Sequence, residues 1–294
     1  MSKNERLGKP VIDGLRVCYV ADPLLLDELS HVEVGQRLVY NPFVLIRRIG
    51  DRFEFFFSMF LAGTRGLEEV GVLKFGRYGA KANNYCHIEI ENHVLYEADL
   101  FQEVLSFPDL VGLTFNNFTA IDIAIDYGKS ISAIIKRMLR DKTVNTIFNG
   151  KCVQNVLGRK QAIPGFSFDY GTSLDRLQCP TVTIRQVKAI KNKFKGTTVQ
   201  SYDKRAEIET TSGKNYILDY YGRPRYLYRF EVRLNYQEIR DYCAARHIAQ
   251  DIELLNNPVF LSDIYYYHLS SVLRFTKNRK KLQWPEIIKC NGRV

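Results

Sequence analysis

Residues 228–234 read Tyr-Arg-Phe-Glu-Val-Arg-Leu, with charged and apolar side chains alternating without a break. A period of two belongs to a β-strand, where successive side chains point to opposite faces. A helix would separate Glu231 from Arg229 and Arg233. A strand lines all three up on one face and leaves Phe230, Val232 and Leu234 to a core. A cross-strand ion ladder would use the same face with no further role.

Residues 121–126, Ile-Asp-Ile-Ala-Ile-Asp, follow the same rule. Asp122 and Asp126 share a face with the small Ala124 between them, while Ile121, Ile123 and Ile125 face the other way. Two carboxylates on one side of an apolar strand repel each other unless a cation or a base lies between them. Their oxygens suit Mg²⁺ or Mn²⁺; a solvent-facing strand edge is the plainer alternative. A third segment, 198–209, reads as a strand that ends on Tyr202 and runs into fixed charges. A phenol with a pKa of about 10 is a weak nucleophile at neutral pH. It attacks a phosphodiester once the phosphate is polarised and a base or cation helps remove its proton. Lys204 lies two places on, on the same strand face, and Arg205 on the other. Glu207 joins Tyr202 only if the chain turns after Lys204. Tyr127, beside Asp126, and Tyr228 are rival tyrosines.

Charge fits a phosphate-bearing partner. The formal net charge is +10, and a basic balance favours nucleic acid. Lys188, Lys191, Lys193 and Lys195 crowd the approach to the tyrosine strand, and Arg274, Lys277, Arg279, Lys280 and Lys281 crowd the C-terminal end. A solvated surface is the alternative for each run. His31, His87, His93, His247 and His268 form no His-x-His pair, so histidine-held metal is not expected. No Gly-rich loop precedes a Lys-Ser or Lys-Thr pair, which argues against an ATPase. The six cysteines are scattered with no Cys-x-x-Cys, as in a reduced cytoplasmic protein. No apolar run is long enough to span a membrane, and residues 1–10 lack the apolar core of a secretory signal. The run Tyr265-Tyr266-Tyr267-His268 points in several directions on a helix and reads as packing.

The three segments together resemble the trans-acting replication initiators of rolling-circle plasmids and some filamentous phages, over residues 110–245. That family has an Asp-rich strand, a strand ending in Tyr-Asp/Asn-Lys with Glu close behind, and an Arg-x-Glu strand leading into a helix. Asp122 and Asp126, Tyr202 to Glu207, and Arg229 with Glu231 occur here in that order; Ala120 stands where the family carries an arginine. The resemblance implies a metal-dependent endonuclease that nicks and rejoins one DNA strand. Tyr202 would be the nucleophile, with Lys204 and Arg229 beside it. Asp122, Asp126 and Glu207, with Glu231 as the alternative third ligand, would hold Mg²⁺ or Mn²⁺. Arg205, Arg233 and the two basic runs would contact DNA. The implied partners are double-stranded origin DNA, a locally single-stranded stretch, a second copy of the chain and a host helicase. A non-catalytic DNA-binding initiator or regulator is the alternative.

The expected class is α+β: curved antiparallel sheets with helices packed on one face and a mainly helical C-terminus. Residues 1–108 form a β-rich region suited to scaffold or DNA reading, and 109–294 the nicking region, in one domain or two. Strands are expected near 15–20, 43–48, 53–60, 70–75, 85–91, 93–96, 113–126, 146–148, 181–184, 197–202 and 227–234. Helices are expected over 97–106 and 131–139. A helix capped by Asn235 follows, then one capped by Ser262 that carries residues 265–275.

Overall fold

The computed structural model describes residues 3–50, 53–63, 66–77, 84–153, 166–169, 181–185 and 196–290. The chain divides into two compact units. The first comprises Met1–Val11, Asp122–Ala245 and Glu253–Val294; the second comprises Ile12–Ile121 and Arg246–Ile252.

The second unit is built on β1 (Pro10–Val20), β2 (Arg37–Tyr40), β3 (Phe43–Arg48), β4 (Phe53–Gly63), β5 (Gly66–Arg77), β6 (Tyr85–Ile90) and the first half of β7 (Thr114–Tyr127), with helices α1 (Pro23–Ser30) and α2 (Ala98–Leu110). Its strands run β2-β3-β4-β5-β6-β1 in antiparallel steps, and β7 follows β1. At Gly71 a Cβ would lie 2.7 Å from the Glu89 carbonyl oxygen, so β5 passes β6 there only as glycine. Residues 94–96, expected as a strand, form a 3-10 turn.

The first unit takes the second half of β7 and then α3 (Ile131–Arg140), β8 (Val144–Phe148), β9 (Lys151–Val153), β10 (Phe166–Asp169), β11 (Thr181–Arg185), β12 (Thr198–Asp203), α4 (Lys204–Glu207), α5 (Asn215–Tyr220), β13 (Tyr228–Asn235), α6 (Tyr236–Arg246), α7 (Pro258–Val272), β14 (Leu273–Lys277), β15 (Lys280–Leu282) and α8 (Trp284–Lys289). Strand order is β7-β13-β12-β11-β10 in one layer and β9-β8-β14-β15 in another. Alternation sets the layering: Ile123 and Ile125 of β7 and Phe230, Val232 and Leu234 of β13 are buried. Helices cover that face. α3 presents Ile131, Ile134, Ile135 and Met138 and touches β12 and β13 as well as β8, while α7 touches β13 and β8. Trp284 packs edge-on against Phe230 of one sheet and Phe275 of the other, with centroid distances of 5.3 and 5.5 Å. Its indole N–H donates to the Leu273 carbonyl at 3.1 Å.

The α+β class stands, but the expected form of the sheets is corrected. The sheets are open and not curled into a closed form, with β9 and β15 at the edges of the four-stranded one, β10 ending the strand order of the first unit and β2 that of the second. α3 and α7 each touch strands of both sheets in the first unit, so they are not a layer on one outer face. The C-terminal stretch carries α6, α7 and α8 but is not helical without a break to its end. α7 begins at Pro258, capped by the Asn257 side chain and not by Ser262, and it stops at Val272. Residues 273–282 then form the β14–β15 hairpin. Asn235 does accept from the Gln237 N–H at 3.0 Å, at the start of α6. Among the described residues no helix is long and apolar enough to cross a membrane.

Candidate functional site

β7, β13 and β12 lie side by side, and one face of the three carries the charges. Tyr202 pairs with Arg229 across the β12–β13 ladder, and Gln200 pairs with Glu231. The same alternation that buries Val199 and Ser201 sends Gln200 and Tyr202 to this face. Behind it, the Ser132 hydroxyl of α3 bonds the Ser201 carbonyl and hydroxyl, each at 3.0 Å, and holds the strand against the helix.

Tyr202, half-buried, donates its hydroxyl to Glu231 Oε2 at 3.1 Å. Glu231 is itself buried and accepts from Arg233 Nε through its other oxygen. Arg233 also faces Asp122 Oδ2 at 3.7 Å, and its side chain is 50% exposed. Burial lowers the Arg233 pKa, but Glu231 and then Asp122 outweigh it, so the guanidinium is held charged. Tyr202, Glu231, Arg233 and Asp122 are thus brought together.

One step deeper lies a second cluster. Arg229 binds Asp126 through two parallel bonds, Nε to Oδ1 at 2.9 Å and NH2 to Oδ2 at 2.6 Å, with both side chains fully buried. Such a fork matches guanidinium to carboxylate. Tyr221 is buried beside this pair; its phenol is pushed well up, first by burial and then by Asp126. Burial likewise raises the Tyr127 phenol far above its ordinary value, with Tyr266 and Asp126 adding to it. A tyrosine so placed is a poor source of phenolate.

The strand ends at Asp203, whose side chain accepts from the Ala206 N–H at 2.9 Å and caps α4. The turn on which the role of Glu207 depends is therefore present, one residue earlier than expected. It does not leave Glu207 open to a metal, because Glu207 Oε2 lies 2.7 Å from Lys204 Nζ. Lys204 is buried, with its ammonium 5.8 Å from the centre of the Tyr202 ring. Arg205 turns away to Glu209 at 2.8 Å and to the Pro224 carbonyl at 2.6 Å.

The carboxylates do not make a donor set for Mg²⁺ or Mn²⁺ as they stand. Asp126 spends both oxygens on Arg229, Glu207 is paired with Lys204, and Glu231 is shared between Tyr202 and Arg233. Among the described residues no group of three or more His, Cys, Asp or Glu is arranged to hold a metal ion.

Of the basic residues, Arg274, Lys277, Arg279, Lys280 and Lys281 all belong to the β14–β15 hairpin. Lys188, Lys191, Lys193 and Lys195 lie outside the described residues. Sequence reasoning missed Asp203 and Tyr221. The first was findable, since an Asp at a strand end with a Glu in the turn that follows is a capping signal. The second was not, because only the fold brings Tyr221 to Asp126. The packing role expected of the tyrosine run holds for Tyr265, which is fully buried and donates to the Phe230 carbonyl at 3.0 Å.

No protein-family model matches the chain, and no curated protein sequence does. Among solved structures, the chain is similar to that of DynU16, described as a protein of the dynemicin biosynthetic locus. The identity is 12%, the match covers 88% of this chain and 97% of that one, and the TM-score is 0.22.

Proposed function

We propose that this chain is a cytoplasmic replication initiator that nicks one strand of its origin through Tyr202. The observation that carries the reading is the 3.1 Å hydrogen bond from the Tyr202 hydroxyl to the buried Glu231 carboxylate. It gives a strand-end phenol a positioned proton acceptor, and a half-exposed guanidinium holds the same carboxylate. As the Tyr202 oxygen bonds to phosphorus, its proton passes to Glu231 Oε2 and the bond from phosphorus to the 3′ oxygen breaks. The leaving 3′ oxygen takes a proton from water and is free to prime synthesis. The 5′ phosphate stays on Tyr202. Protonated Glu231 loosens its hold on Arg233, whose guanidinium then serves the phosphate oxygens. Lys204 steadies the phenolate from beside the ring. Rejoining reverses these steps, with a second copy of the chain supplying the second tyrosine and a host helicase opening the duplex.

A non-catalytic DNA-binding protein is the second reading. It is favoured by the pairing of Asp126, Glu207 and Glu231 with cationic side chains. One experiment separates the two. The chain is incubated with a supercoiled plasmid carrying its own origin, in buffer with Mg²⁺ or Mn²⁺. An open circle bearing covalent protein is expected. Tyr202→Phe should abolish it while binding persists, and Glu231→Gln should slow it by about 10²- to 10⁴-fold. Covalent complex at the wild-type level in Tyr202→Phe would remove Tyr202 from the reaction, and no nicking by the wild-type chain would favour the second reading.

A further inference from the structure

The four-stranded sheet carries a chemistry that the Tyr202 face does not use. Its strands read VNTIF, KCV, LRFTK and KKL, with Lys151, Arg274, Lys277, Lys280 and Lys281 among them and no Asp or Glu. Leu273 and Phe275 are fully buried, so alternation sends Arg274 and Thr276 to the opposite face. There Thr276 pairs with Asn145 on one side and Lys281 on the other, and Arg274 and Lys281 are exposed.

The two hairpins of this sheet differ at one position. β8 and β9 are joined by Asn149-Gly150, with φ of 47° and 79°; β14 and β15 are joined by Asn278-Arg279, with φ of 51° and 64°. A two-residue turn with both φ positive favours Asn-Gly. The second hairpin carries an exposed guanidinium where the first has glycine, in a conformation that side-chain-bearing residues rarely adopt. Behind it, Lys277 and Lys280 stand directly opposite each other, and like charges so placed weaken a ladder. Asp141, near enough to feel Lys277, is one acid against this group of cations. Neither choice helps the hairpin to fold. Both concentrate positive charge at its tip.

We propose that the β14–β15 hairpin is a docking arm for duplex DNA. Arg279 enters the major groove, and Arg274 and Lys281 contact the flanking phosphates. A two-stranded ribbon fits a groove about 12 Å wide, which a single strand does not offer. Only the choice of DNA as the polyanion rests on the nicking reading.

The test uses the full chain, Arg279→Gly and Lys281→Gln. Each is titrated by fluorescence anisotropy against a random-sequence duplex and against one of its single strands, over a range of salt. Glycine relaxes the left-handed turn, so Arg279→Gly should melt at the same temperature or higher and yet bind duplex more weakly. Lys281→Gln, which removes a phosphate contact, should lower the slope of log affinity against log salt by about 0.9 on duplex. Single-strand affinity, and cutting of a single-stranded oligonucleotide, should not change. Duplex affinity and slope unchanged in both variants would overturn the proposal. So would equal losses on duplex and single strand, or no duplex binding by the wild-type chain. A chain that cuts nothing but loses duplex affinity in both variants would overturn the nicking reading and leave the docking arm standing.

Discussion

At the scale of single residues, the site depends on the buried ion pair behind Tyr202. Arg229 and Asp126 are fully buried and doubly bonded. Taking both out of water costs several kcal/mol per ion, which their attraction and hydrogen bonds offset. Removing one partner leaves the other charge stranded. Arg229→Met should therefore destabilise the chain by about 3–5 kcal/mol, and Arg229→Met with Asp126→Leu should recover most of that loss. Urea unfolding of the three proteins measures this. A single variant as stable as the wild type would show that the pair does not hold β7 to β13. The pair joins residues 103 positions apart, so the sequence shows two charges of opposite sign and gives no sign that they meet.

At the scale of elements, Asp203 joins strand to helix. Its carboxylate caps α4 and its pKa is raised, first by burial, with the Ala206 N–H working against that. A raised carboxylate binds more protons folded than unfolded between its two pKa values. Its contribution to stability is thus fully present below the ordinary value of 3.8 and is lost as pH rises through the folded value. Asp203→Asn keeps the capping oxygen and cannot ionise. Its stability relative to wild type should grow as pH rises above about 4. Asp203→Ala loses the cap and should cost about 0.5–2 kcal/mol. Thermal melts across pH check both, and an Asn variant whose advantage shrinks with rising pH would reverse the sign. β7, β12 and β13 were legible as strands because their alternation is long and bounded by turn residues. The β14–β15 hairpin was not. Its strands are five and three residues long, directly after a helix rich in large apolar side chains, and so short an alternation does not outweigh a continuing helical pattern. The Asn257-Pro258 start of α7 was readable as a cap followed by proline at the first turn, but Ser262 competed for the same role.

At the scale of the whole molecule, a net charge of +10 invites a polyanion but does not say which surface meets it or whether chemistry follows. The first unit offers two candidate surfaces for the proposed partner. One is the β7–β13–β12 face with Tyr202, Glu231 and Arg233; the other is the acid-free sheet with Arg279 at a turn. The order of the charged strands was legible in the sequence, whereas the pairing of each carboxylate with a cation was not, because it depends on strand neighbours far apart in the chain. The central claim is that Tyr202 forms the bond to DNA, and peptide mapping tests it most directly. The chain is reacted with its origin DNA, the DNA is trimmed by nuclease, and the peptides are analysed by mass spectrometry for a retained nucleotide. The added mass is expected on Tyr202 and is expected to be absent in the Tyr202→Phe variant. A nucleotide on Tyr127 or Tyr228, or nicked DNA with no nucleotide on any peptide, would contradict the claim.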